Sequence, residues 1–285
     1  MDILQLAFYG IVTGSILALG AIGVSLIFSI LRFAHFAHGD LMTVGAYVAL
    51  VPVKALGIAP IVAMPFAIVV AAAVAIVTEK VLYRPLRGRS AIILLISSFG
   101  VALILRSLVQ IIFGTANHVY VEGIRMPMRI WGLRIKEDHI AIIVGTLVII
   151  AALHLFLTRT RFGKALRAMS DDLNLARLSG IPVNQMVTLT WVIAAALAAV
   201  AGVFLAMDTR LQPGMGFHAL LPIFAAAILG GIGRPYGAIL GGFVIGLAME
   251  MSTLVIDPGY KSSVAFAILV LTLLIRPQGI LKGAQ

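Results

Sequence analysis

Residues 158–181 read TRTRFGKALRAMSDDLNLARLSGI, a long polar stretch in a chain that is otherwise mostly apolar. From Gly163 onward, the stretch has the periodicity of an amphipathic helix. The apolar face holds Leu166, Met169, Leu173 and Ala176, and the opposite face holds Lys164, Arg167, Asp171 and Asn174. The pattern predicts a short helix on a membrane surface, between two spanning helices, where a partner in the aqueous phase can dock.

The sequence on both sides of this stretch is typical of an integral membrane protein. Charged residues make up 11% of the chain and hydrophobic residues 61%, whereas soluble domains carry roughly 25% charged residues. Apolar segments occur at 3–31, 41–53, 58–78, 91–113, 139–157, 187–207, 219–233, 236–256 and 263–275. We therefore predict an all-α, polytopic membrane protein, a single transmembrane domain over residues 1–285, with about eight or nine membrane helices.

Two of the apolar segments are short for a membrane crossing. The segment at 41–53 would rise only about 20 Å as a helix, against about 30 Å of hydrocarbon. The segment at 219–233 is also short and ends in glycines. We predict that one or both are broken or re-entrant helices, which are tolerated where protein or a water-filled cavity satisfies the backbone.

Basic residues are distributed unequally between the two sets of loops. If the loops at 79–90 and 158–186 share one side with Arg32, Arg234 and the C-terminal tail, most of the 21 lysines and arginines lie there. The positive-inside rule makes that side cytoplasmic. The N-terminus is then outside and the C-terminus inside. This bias accounts for the net charge of +10, and nucleic acid is not an expected partner.

Polar residues follow the first apolar segment, and a metal site is one interpretation of them. His35 and His38 are three residues apart and Asp40 is near, but no further ligand is evident and Gly39 would break a helix that aligned them. The favoured interpretation is a turn at the membrane surface in which Asp40 caps a helix that begins at Leu41. We expect no metal and no cofactor.

Arg106 and Glu250 are the charges placed well inside apolar segments. Ionisable residues in the bilayer are costly, usually face the bundle interior and are usually paired. We predict that Arg106 and Glu250 approach each other or line a common polar path. A structural ion pair and a contact with substrate both stay open.

Glycines are concentrated between residues 230 and 242. Their spacing allows close helix crossing, and it equally allows a backbone exposed to a substrate path. The chain has no Gly-x-x-x-x-Gly-Lys-Ser/Thr motif, so it is not expected to hold nucleotide phosphates by itself.

Three separated motifs resemble the branched-chain amino acid ABC transporter permeases of the Liv type, more closely the H-type than the longer M-type. They are FAHGDLMTVGAY at 36–47, GKALRA at 163–168 with Asp172, Ala176, Gly180 and Ile181, and AILGGIG at 227–233 with Gly241 and Gly242. The resemblance covers nearly the whole chain.

The resemblance implies a permease subunit of an importer in the bacterial inner membrane. The implied partners are a second permease subunit, two ATP-binding cassette ATPase subunits, a periplasmic substrate-binding protein and the lipid bilayer. ATP hydrolysis would belong to the ATPase subunits, so this chain would not be an enzyme. Substrates in the family are mainly leucine, isoleucine and valine, with other amino acids, amides or urea in relatives.

Two sets of candidate site residues follow. The ATPase-coupling loop contains Arg161, Gly163, Lys164, Ala165, Arg167, Ala168, Asp171, Asp172 and Gly180. The translocation path is predicted to contain His38, Gly39, Asp40, Arg106, Gly230, Gly231 and Glu250. The alternatives are an ion-coupled secondary transporter and, third, a membrane-embedded metalloenzyme.

Overall fold

The computed structural model describes residues 3–123, 127–130 and 132–281. Its elements are α1 (Ile3–Leu31), α2 (Ala37–Leu56), α3 (Pro60–Thr78), a π-helical turn (Glu79–Tyr83), α4 (Arg84–Leu86), α5 (Ala91–Phe113), β1 (Met128–Ile130), β2 (Leu133–Ile135), α6 (Glu137–Arg159), α7 (Arg161–Asp171), α8 (Leu173–Leu178), α9 (Val183–Asp208), α10 (Met215–Gly230), α11 (Pro235–Met251) and α12 (Lys261–Ile275). Short 3-10 turns lie at Ser252–Leu254 and Pro258–Tyr260.

Eight helices of the described chain are long and apolar enough to cross a bilayer. They confirm the prediction of a mostly helical, polytopic membrane protein. The helix α10 has 16 residues and rises only about 24 Å, so the predicted short segment at 219–233 is indeed short.

The helix α2 corrects the prediction of a broken segment at 41–53. It begins at Ala37, runs for 20 residues to Leu56 and contains Pro52, which is long enough to cross. The sequence pattern missed the first turn because His38, Gly39 and Asp40 are polar or helix-breaking residue types. These three residues are buried inside the bundle, so their polarity does not place the segment in a surface loop.

The centre of the bundle is formed by α1, α9 and α2. Their apolar spans are 83%, 72% and 67% buried, whereas those of α6 and α12 are each 17% buried. In a membrane protein such exposed apolar helices face lipid or a partner subunit. The polar residues that the sequence singled out on α2 therefore lie among the most buried helices of the bundle.

A tight hairpin joins α10 to α11 at the glycine-rich stretch. A Cβ atom on Gly230 would collide with the backbone of Gly237, and one on Gly241 would collide with the carbonyl oxygen of Ala226. Close packing of the two helices therefore accounts for these glycines. The chain after α12 returns to this turn, where the amide of Ile280 donates to the carbonyl of Leu229 at 2.8 Å.

The segment between α5 and α6 adds a small sheet that the all-α prediction omitted. Strands β1 and β2 pair antiparallel, with Met128 opposite Ile135. The side-chain amide of Gln5 donates to the carbonyl of Arg134 at 3.1 Å and fastens the hairpin to the start of α1. The phenol of Tyr120 donates to the carbonyl of Ala46 at 2.8 Å; burial raises the pKa of Tyr120 and keeps it a donor.

Candidate functional site

A buried ion pair joins α2 to α5. Arg106 Nε lies 3.0 Å from Asp40 Oδ1, and Arg106 Nη2 lies 3.1 Å from Asp40 Oδ2. Asp40 is fully buried, and the Arg106 side chain is 20% exposed. A guanidinium that donates two parallel bonds to one carboxylate is the strongest geometry for such a pair. The predicted role of Asp40 as a helix cap is therefore wrong, because Asp40 lies inside α2 and binds Arg106.

The helix α10 closes over this pair. The Arg106 guanidinium carbon lies 4.3 Å from the centre of the Phe217 ring, a cation–π contact. Backbone packing brings α10 this close, because the amide of Gly216 donates to Thr43 Oγ1 at 3.1 Å and a Cβ on Gly216 would collide with the carbonyl of Gly39. Three helices thus hold one charged group between them.

Glu250 has other partners, and the predicted Arg106–Glu250 pair is wrong. Thr13 Oγ1 donates to Glu250 Oε1 at 3.1 Å, and Lys261 Nζ donates to Glu250 Oε2 at 2.6 Å. The error arose because the sequence placed Asp40 in a surface turn, which left Glu250 as the apparent carboxylate for Arg106. The two charges mark two separate polar clusters.

The two histidines pack among aromatic rings. His35 Nε2 lies 3.0 Å from the Tyr83 hydroxyl, and the Tyr83 ring stacks on Trp191 with centroids 4.8 Å apart. His38 packs against Gly23, and neither of its ring nitrogens has a hydrogen-bond partner in the described chain. Among the described residues, no group of three His, Cys, Asp or Glu side chains is placed to hold a metal ion.

The π-helical turn after α3 carries a second buried ion pair. Glu79 is 1% exposed and pairs with Arg87, whose Nη1 donates to Asn184 Oδ1 at 3.0 Å. Burial lowers the pKa of Arg87, and the charge of Glu79 opposes that shift. The pair ties the chain between α3 and α5 to the start of α9.

The polar linker forms two short helices, which corrects the single helix predicted for it. Thr160 caps α7 by accepting from the amide of Gly163 at 2.9 Å. Asp172 then leaves helical geometry and caps α8, accepting from the amides of Asn174 and Leu175. The sequence pattern did not distinguish this capped break from a continuous helix, because the apolar spacing continues through it.

The two faces of the linker otherwise match the prediction. The buried residues are Gly163, Leu166, Met169 and Ala176, while Leu173 and Ala165 are half-buried. The exposed residues include Arg161, Lys164, Arg167, Ala168, Asp171, Asp172 and Gly180, together with the apolar side chains of Phe162, Leu175 and Leu178. A Cβ on Gly163 would collide with the backbone of Leu157, which explains a glycine where α7 folds back on α6.

The end of α7 is linked to the turn between α1 and α2. Arg32 Nη2 donates to the carbonyl of Ser170 at 3.1 Å. Arg32 has a φ of 55° and is the one non-glycine residue of the described chain with a left-handed backbone. The turn is therefore conformationally strained. Four residues later, the amide of Phe36 donates to Ser98 Oγ at 3.1 Å on α5. The linker is therefore connected to the two helices that carry the Asp40–Arg106 pair.

The structure groups the predicted path residues in three places. His38, Gly39, Asp40 and Arg106 lie together near the start of α2, Gly230 and Gly231 lie at the α10–α11 turn, and Glu250 lies near Lys261. Sequence reasoning missed Phe217 and Thr43, since neither has a local signal. Lys261 had a local sequence signal, because it follows a polar loop and stands at the start of an apolar run.

A charged pair held among helices in the bilayer is typical of membrane transport proteins. The fold and the site therefore define a multi-pass membrane transport protein. A family described as the branched-chain amino acid transport system permease component matches residues 6–273.

Curated relatives agree with that match. The chain is 37% identical to the high-affinity branched-chain amino acid transport system permease protein BraD of Pseudomonas aeruginosa and to LivH of Escherichia coli K12, covering 98% of this chain and 95% of each relative. It is 32% identical to a probable LivH of Methanocaldococcus jannaschii, over 95% of this chain and 90% of that one. The chain therefore belongs to the branched-chain amino acid transport permease family.

Membership confirms the resemblance found in the motifs. The chain is a permease subunit of an ABC transport system and not itself an enzyme. Such a permease works with ATPase and substrate-binding components. The solved structure of PsaBC from Streptococcus pneumoniae in complex with Fab has the same fold, with TM-score 0.52 and 17% identity over 98% of this chain and 93% of that chain.

Proposed function

We propose that this chain, with a second permease subunit, forms the membrane path of an importer for leucine, isoleucine and valine. The exposed basic face of α7 is the surface on which the ATPase docks. The observation that carries the proposal is the placement of α7, which buries its apolar face on the bundle, exposes Arg167 and contacts the α1–α2 turn through Arg32. The family description and the names of the relatives support the substrate class.

The order of the helices supports the proposed orientation. Eight spans plus the shorter α10 make nine traverses, which put the two ends of the described chain on opposite sides. The linker α7–α8 and the chain end near α10 then share the side that the basic loops assign to the cytoplasm. In this arrangement the N-terminus is periplasmic and the C-terminus cytoplasmic.

Coupling in this proposal is mechanical. Closure of the ATPase pair moves α7, and the Arg32–Ser170 bond passes that movement to the turn that precedes α2. Because α2 carries Asp40, a displacement of its first turn disturbs the Asp40–Arg106 pair. Packed helices respond to small shifts by changing between discrete arrangements.

The translocation path follows the face where α5 meets α10. Arg106 is partly exposed there, and Phe99, Leu103, Gln110, Phe217 and Leu221 are exposed on the same side. A guanidinium that faced hydrocarbon would be costly. Water or the second permease subunit must therefore cover this face.

The ion-coupled alternative gains no specific support. A secondary transporter needs intramembrane carboxylates that can bind or release an ion. Asp40 is held by Arg106, and Glu250 is held by Lys261 and Thr13.

The test is Arg167→Glu in the importer reconstituted in liposomes, with Arg210→Glu as control. Both arginines are exposed, but Arg210 follows α9 at the opposite end of the bundle. Reversing the charge of Arg167 is expected to abolish ATP-driven leucine uptake and co-purification of the ATPase, while elution as a folded species is unchanged. Wild-type uptake by Arg167→Glu would contradict the docking role.

A further inference from the structure

A polar cavity of about 190 Å³ lies where five helices converge, at the start of α1 and α6 and the end of α9. Its polar lining includes Thr13, Lys136, His139, Asp208, Glu250 and Lys261. An adjoining cavity of about 210 Å³ shares Lys136 and Asp208 with it. Neither cavity includes Asp40 or Arg106, so this cluster is separate from the proposed path.

One carboxylate of the cluster, that of Glu250, has a structural role. Glu250 accepts from Thr13 with one oxygen and from Lys261 with the other, so both of its oxygens are satisfied by the protein. This network ties α1, α11 and α12 together and forms one wall. Asp208 and Lys136 are then the opposite charges common to both cavities.

The positions of these two charges oppose helix stability. Asp208 is the last residue of α9 and Lys136 is the N-cap of α6, whereas helix dipoles favour a cation at the C-terminus and an anion at the N-terminus. Asp208 and the α9 dipole together attract a cation. Glu137 and Asp138 in the first turn of α6 match its dipole, and Asp138 also lines the second cavity. Lys261 is paired with Glu250, so Lys136 is the cation that both cavities share.

A third group in the first cavity, His139, has one ring nitrogen without a partner. His139 Nε2 lies 3.3 Å from Asp208 Oδ1, and its side chain is 4% exposed. Its Nδ1 atom has no hydrogen-bond partner in the described chain. Buried polar atoms are rarely left unpaired, and an unpaired one beside a cavity suits a polar ligand.

We propose that the adjoining cavities bind the main-chain groups of a free amino acid, its ammonium at Asp208 and its carboxylate at Lys136. The volumes fall below the ~300–1,000 Å³ of drug-sized pockets, which fits a small zwitterion. This inference rests on the proposed import function, because the orientation proposed above puts both cavities on the side from which the substrate arrives. The site receives the amino acid before it reaches the Arg106 face.

The test uses the permease purified with its ATPase in nanodiscs, without the substrate-binding component. Saturation-transfer difference NMR measures the binding of leucine, of isopentylamine, which lacks the carboxylate, and of 4-methylpentanoate, which lacks the ammonium. Asp208→Asn and Lys136→Gln are each expected to weaken leucine binding tenfold or more, and each one-headed analogue is expected to bind at least tenfold more weakly than leucine. Arg129→Gln, an exposed residue of β1 outside both cavities, is the control.

Equal leucine binding by wild type, Asp208→Asn and Lys136→Gln would overturn the site. Equal binding of leucine and its analogues would also overturn it, as would the absence of any leucine signal from a wild-type complex that performs ATP-driven uptake once it is reconstituted in liposomes with the substrate-binding component. Loss of the proposed import function would appear differently, as a wild-type complex that transports no leucine even with the binding component present.

Discussion

The Asp40 side chain is fully buried, so its charge is stabilised by Arg106. The carboxylate is fully buried and receives two hydrogen bonds from the guanidinium. Removing one member of such a pair leaves a buried charge without compensation, which costs about 3–5 kcal/mol in soluble proteins, whereas removing both is often nearly neutral. The contribution of the pair to stability and its contribution to transport can therefore be tested separately.

We expect Asp40→Asn and Arg106→Gln each to lower the thermal unfolding midpoint sharply, and the double variant to recover most of the loss. ATP-driven uptake should stay low in all three, because the guanidinium on the path face is missing or unpaired. Thermal unfolding in detergent and uptake in liposomes measure the two effects. A double variant with normal uptake would show that the pair only stabilises the fold.

At the scale of elements, the approach of α2 to α10 depends on glycine. Gly216 and Gly39 bring the two backbones together, and Thr43 bonds across the contact. This contact places Phe217 over Arg106. The apolar pattern predicted both helices, but it could not predict that they touch, because helices far apart in sequence meet only through tertiary packing.

We expect Gly216→Ala to destabilise the protein by about 1–3 kcal/mol, the cost of overpacking a core, and to reduce uptake by separating α10 from α2. Gly100→Ala on α5 is the matched control, since a Cβ there meets no atom within 4 Å. The control should be neutral or stabilising by up to about 1 kcal/mol, because alanine favours a helix more than glycine does. Equal effects of the two substitutions in thermal unfolding would refute the close contact.

For the whole molecule, the question is which outer face meets lipid and which lines the path. Exposure alone does not separate them, because Leu103 and Leu108 on α5 are 47% and 46% exposed. They point about 140° apart at about 100° per residue, and Leu103 shares the flank of Arg106. The proposed path face therefore predicts different environments for two equally exposed leucines.

The chain contains no cysteine, so single cysteines give an unambiguous readout. During ATP-driven transport, Leu103→Cys is expected to react with a membrane-impermeant thiol reagent at least about tenfold faster than Leu108→Cys, because thiolate forms in water and not in hydrocarbon. Leu108 lies nearer the end of α5 and thus nearer the membrane surface, so slower labelling of Leu108→Cys could not be attributed to greater depth. Equal labelling rates would place the path elsewhere.

The sequence alone determined the class of the protein, most spans, the two faces of the polar linker and the family. These features follow from local hydropathy, helical periodicity and short motifs, all of which are written in consecutive residues. The sequence also indicated Arg106 and Glu250 as costly charges inside apolar segments.

Only the tertiary structure decided which charges meet. In the structure, Arg106 pairs with Asp40 and Glu250 pairs with Lys261. The helix α2 begins at Ala37, the linker helix is interrupted at Asp172, and residues between α5 and α6 form the hairpin β1–β2. The polar residues in the first turn of α2 made that turn resemble a surface loop. A single sequence shows that burying the charge of Asp40 is costly, but it does not show which residue pairs with that charge. That partner lies 66 residues away on another helix, and packing alone brings the two within hydrogen-bonding distance.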